Sequence, residues 1–174
     1  VLIMAVGIGA GSISLWWKQT GSKQWQAKAR LEAIEAILKN PQNGLPADML
    51  KDFGDRHDWL LKQLASGQAV DVLEAELAKL EADIKAAQEA MQAMAAQAAD
   101  LKSGLETAMK EPDETGQIPP GKRLVANLIE DIDNFSSGLK SGKYPTMAAA
   151  EEIVTKLQDS RAAWLVGVQK YETD

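Results

Sequence analysis

Residues 73–108, "LEAELAKLEADIKAAQEAMQAMAAQAADLKSGLETA", decide the fold. Positions 73, 77, 80, 84, 87, 91, 94, 98, 101, 105 and 108 read Leu, Leu, Leu, Ile, Ala, Met, Met, Ala, Leu, Leu, Ala, alternating steps of four and three without a slip. That is a heptad seam, and it predicts one unbroken helix about 60 Å long at about 1.5 Å per residue. Ala87 and Ala98 leave room on the seam for a close neighbour. On the N-terminal side, Ser66-Gly67 ends a helix predicted from Ala47 to Leu64. On the C-terminal side, "EPDETGQIPPG" (111–121) is a break.

Working outward, a first helix is predicted from Ser22 to Lys39, with Leu31, Ile34 and Leu38 on one side and Asn40-Pro41-Gln42-Asn43-Gly44 as its stop. A fourth runs from about Lys122 to Leu139 with the seam Val125, Leu128, Ile132, Phe135, Leu139. Ser141-Gly142-Lys143-Tyr144-Pro145 then turns the chain, Thr146 can cap a fifth helix, and that helix reaches about Tyr171.

The pattern repeats. The turn Ser66-Gly67 has its counterpart in Ser141-Gly142, and Leu50, Phe53, Leu60, Leu64 match Val125, Leu128, Phe135, Leu139. Beyond a two-residue insertion, Glu74, Lys79 and Leu80 match Glu151, Lys156 and Leu157. The unit is a helical hairpin. Two hairpins with the tail of the first helix are expected to bury their seams as an antiparallel bundle over residues 22–174, an all-α fold. Two seam positions break the apolar rule: His57, whose counterpart is Ile132, and Arg161, whose counterpart is Ile84. A seam arginine is costly to bury without a partner. It either reaches to water at a bundle end or binds something. The second reading gives a candidate anion site of Arg161 with Arg56 or His57, walled by Trp59 or Trp164.

Residues 1–21 differ in kind. The first 17 carry no charge, and Trp16 and Trp17 precede the first charge, Lys18. As a helix, this run reaches the lower limit for a membrane span, about 17 residues. Trp16, Trp17 and Lys18 have the chemistry of a membrane-interface anchor. Gly7 and Gly11 form a G-x-x-x-G along which a second apolar helix could pack. The expected arrangement is a single N-terminal span in the bilayer with the bundle outside the cytoplasm. Lys18, Lys23, Lys28 and Arg30 all precede the first acid, Glu32, and the positive-inside bias by itself favours the opposite side.

Composition narrows the function. The chain has 174 residues, a net charge of −6, no cysteine and one histidine. An acidic chain does not suit nucleic acid as the main partner. Disulfides, thiol catalysis, Cys-ligated zinc and multi-histidine metal sites are excluded. There is no phosphate loop, no nucleophile elbow and no Glu-x-x-His, so neither an enzyme nor a metal or other cofactor is expected.

"WLLKQLASGQAVDVLEAELAKLEADI" (59–84), and more faintly residues 135–164, resemble the helix, glycine turn, long helix element of the sensor domains of bacterial chemoreceptors and sensor kinases. The resemblance implies a small ligand bound between helices, often a carboxylate, and a homodimer. No signature residues carry over one by one. The reading from sequence is therefore a membrane-anchored sensor or signalling module that transmits helix shifts. Its rivals are a structural or assembly component of a phage or secretion apparatus, and a helical pore former.

Overall fold

The computed structural model describes residues 23–108 and 122–173. Five helices cover them: α1 Lys23–Lys39, α2 Ala47–Ala65, α3 Val70–Ala108, α4 Lys122–Lys140 and α5 Met147–Thr173. The all-α helical bundle expected from the heptads is the observed fold. No described helix is long and apolar enough to cross a membrane. The apolar run with Gly7, Gly11, Trp16, Trp17 and Lys18 lies outside the described residues.

α3 is unbroken for 39 residues, and its seam from Leu73 to Leu105 is buried at every position. What covers that seam changes halfway. From Leu73 to Ala87 it packs with Ala27, Leu31 and Ile34 of α1 and Phe53 and Leu60 of α2. From Met91 to Leu105 it packs with Val125, Leu128, Ile132 and Phe135 of α4 and Val154 and Leu157 of α5. The described residues thus form two three-helix bundles end to end, sharing one continuous helix. A fully buried Leu such as Leu77 or Leu80 contributes about 1.5–3 kcal/mol by its removal from water.

Charges set the register in the first bundle. Lys23 pairs with Asp71 at 2.6 Å. One turn or more further along, Arg30 holds Glu81 with Nε–Oε1 at 2.8 Å and Nη2–Oε2 at 2.6 Å, and also Glu74 at 2.5 Å. Both sequences ascend together, so α1 runs parallel to α3. The exposed lysine pair stabilises little. The two-pronged, half-buried arginine fork is the stronger and more directional contact.

The internal repeat reappears as geometry. After α2, Gly67 has φ +82°, its N–H donates to the Leu64 carbonyl, and the Gln68 N–H donates to the Gln63 carbonyl. After α4, Gly142 has φ +63°, its N–H donates to the Leu139 carbonyl, and the Lys143 N–H donates to the Gly138 carbonyl. Both are Schellman turns, in which a left-handed residue lets two late N–H groups satisfy the last carbonyls. Ser66 Oγ donates to the Gln63 carbonyl and Ser141 Oγ to the Gly138 carbonyl, again alike. Thr146 caps α5 by accepting the Ala149 N–H at 3.1 Å.

Candidate functional site

The helices place the sequence-derived residues in two separate regions. Arg56, His57 and Trp59 are on α2, in the first bundle. Arg161 and Trp164 are on α5, in the second. Arg56 pairs with Asp83 of α3, whereas the Arg161 guanidinium lies at Gly104 of α3. The 21 residues between those two points span about 30 Å of helix. A single anion pocket joining Arg161 to Arg56 or His57 is therefore not formed. The repeat that made their positions comparable also translated them along α3.

In the first bundle Arg56 and His57 each have a partner on a neighbouring helix. Arg56 Nη1 donates to Asp83 at 2.7 Å and approaches Asp52 at 3.6 Å, while its Nη2 is buried without a hydrogen-bond partner. His57 is 4 % exposed and occupies a core position. Its Nε2 lies 3.1 Å from the Leu31 carbonyl and its Nδ1 3.2 Å from the Asp58 carboxylate. Nε2–H donating to Leu31 ties α2 to α1. Trp59, expected as an apolar wall, is 46 % exposed and walls nothing.

In the second bundle the repeat predicts an aliphatic side chain where Arg161 stands. Residues 73, 77, 80, 84 and 87 on α3 correspond to 150, 154, 157, 161 and 164 on α5. Ala150, Val154 and Leu157 are buried like their counterparts, and Trp164 packs against the core. The Arg161 guanidinium lies across Gly104. A Cβ at residue 104 would be 2.9 Å from Nη2, 3.4 Å from Cζ and 3.5 Å from Nε. Arg161 Nε and Trp164 Nε1 are both buried with no hydrogen-bond partner. Each buried donor without an acceptor costs about 1–3 kcal/mol. No carboxylate pairs with Arg161 among the described residues, whereas Arg30 and Arg56 each have at least one.

A second feature, which sequence reasoning missed, sits at the junction of the two bundles. The turn after α1 and the turn after α4 meet there. Gly44 has φ +69°, and a Cβ on it would lie 3.1 Å from the Leu139 carbonyl. A Cβ on Gly142 would lie 3.2 Å from the Leu45 carbonyl. Each turn thus presents a bare glycine to a backbone oxygen of the other. The Asp48 N–H donates across the joint to the Pro145 carbonyl at 3.1 Å, and Met147 packs against both cores. The signal was the pair of glycines in turns of opposite bundles. Nothing local shows that these turns touch.

Among the described residues no cluster of His, Cys, Asp or Glu could hold a metal ion. These features define a class, a tandem helical bundle built on one shared helix. No protein-family model matches the chain, and no curated protein or solved structure is significantly similar to it.

Proposed function

We propose that this chain is a membrane-anchored, non-enzymatic helical strut that works through stiffness, holding or displacing a partner at a fixed distance from the bilayer. One observation carries the reading. α3 passes unbroken through the junction, and the junction is locked from outside by the two turns. A hinge there would need a break in α3 or loosely packed turns. A displacement at one end of such an element reaches the other end as a rigid-body movement, the property that an assembly spacer and a signalling module both need. The uncharged run 1–17 with Trp16, Trp17 and Lys18 supplies the anchor in this proposal, and its Gly7/Gly11 face a homodimer contact.

Two measurements test it. The chain has no cysteine, so Asp58→Cys and Gln158→Cys place one spin label on each bundle. A single narrow distance distribution is expected, and a broad or two-peaked one refutes a stiff joint. For the anchor, the full chain should float with liposomes, while a chain lacking residues 1–17 should not float yet keep its helical circular dichroism. Flotation of both, or loss of helix in the shorter chain, refutes the anchor.

A further inference from the structure

We infer that Arg161, whose guanidinium lies over Gly104, and Trp164 form a binding site for a small oxyanion, a carboxylate or phosphate group held between α3 and α5. This goes beyond the strut reading and does not depend on it.

Arg161 and Trp164 are i and i+3 on α5, so both side chains project from one face. Each has a buried N–H donor and no acceptor. An oxyanion offers several acceptor lone pairs, and one bridging the two side chains would accept from both donors while neutralising the guanidinium. An arginine that merely reached for water would extend its head outward. Here the head lies against α3, at the residue that has no Cβ to exclude it. The neighbouring α5 residues Gln158, Asp159 and Ser160 are exposed. Asp100, one turn before Gly104 on α3, makes no ion pair with Arg161. Among the described residues no acid pairs with the guanidinium. The contrast with the first bundle is direct. At the equivalent position stands Ile84, buried in an apolar seam, so the fold does not require a cation there.

The test uses the full chain in a non-ionic detergent with sodium acetate, malate or phosphate, each against sodium chloride at equal ionic strength. At about ten times its Kd, a probe that binds only the native state should raise Tm by about 3–6 °C over the chloride control. Elevation by the carboxylates alone or by phosphate alone names the group. Arg161→Leu should fold, because Ile84 does so at the equivalent position, and should lose the elevation. Gly104→Ala keeps the charge but puts a methyl 2.9 Å from Nη2, and should lose most of it. The direct readout is the Trp164 indole N–H resonance, assigned with Trp164→Phe. It should move with the probe in the parent and stay still in Gly104→Ala, and this holds whether or not Arg161→Leu folds. No elevation beyond chloride in the parent, equal elevation in Arg161→Leu, or an indole resonance that ignores every probe overturns the proposal.

Discussion

The joint between the bundles can be tested with three glycines that share a backbone conformation and differ in what they face. Gly44, Gly67 and Gly142 have φ of +69°, +82° and +63°. An alanine at any of them pays the left-handed penalty, about 1–2 kcal/mol. Around Gly67 nothing lies within 4 Å of a new Cβ, so Gly67→Ala should cost that penalty alone. At Gly44 and Gly142 the methyl would meet a backbone carbonyl of the other turn at 3.1 and 3.2 Å. A backbone oxygen cannot swing aside as a side chain can, so the turns must part by a few tenths of an ångström. That strains the Asp48–Pro145 hydrogen bond, worth about 1 kcal/mol net, and loosens the packing around Met147. Gly44→Ala and Gly142→Ala should therefore each cost about 2–3 kcal/mol, against about 1–2 for Gly67→Ala. In urea titrations the difference appears in the midpoint at constant slope. In thermal melts it amounts to about 2–4 °C for each kcal/mol. The double variant Gly44→Ala/Gly142→Ala should fall short of the sum by about 1 kcal/mol, because a joint already parted by one methyl accepts the other. Equal costs for all three single variants, or strict additivity in the double, would refute the locked joint.

Three further outcomes are expected. His57→Ile should stay within about 1 kcal/mol of the parent, since Ile132 fills the equivalent core position, while His57→Ala should lose about 2–3 kcal/mol to the cavity; urea unfolding showing equal losses would mean that the hydrogen bond to Leu31, not volume, secures α1. Ala90→Pro falls between Ala87, the last core residue of the first bundle, and Met91, the first of the second. It should cost about 3 kcal/mol or more, and a Tm that hardly moves would contradict a continuous α3. Burial holds the Tyr144 phenol above its usual range, so the native state favours the neutral ring. That contribution is present below the unfolded value of about 10 and is lost as pH rises through the higher folded one. Tyr144→Phe should flatten the alkaline fall in Tm, and an unchanged slope would show that the phenol is not desolvated.

The helices and their ends were legible in the sequence because the forces that make them are local. The four-three spacing of apolar residues along α3, the Ser-Gly turns and the Thr146 cap act within one or two turns of chain, and the observed bounds fall within a few residues of those read from it. The seam residues were also legible, since a buried face needs only periodicity to declare itself. Which helix covers which part of that face was not. Leu77 and Leu101 carry the same pattern yet lie in different cores, because a heptad specifies an apolar stripe and not its partner. The partner depends on loop lengths and on pairs far apart in sequence, such as Arg30 with Glu81. For the same reason the sequence singled out both Arg56 and Arg161 but could not tell that α3 sets them about 30 Å apart. It likewise marked Gly44 and Gly142 as turn residues, while only the tertiary structure brought each against the other's backbone. Local sequence determined what each segment is. The end-to-end stacking on a shared helix decided where the segments meet, because the meeting points are set by through-space packing that no short window of sequence contains.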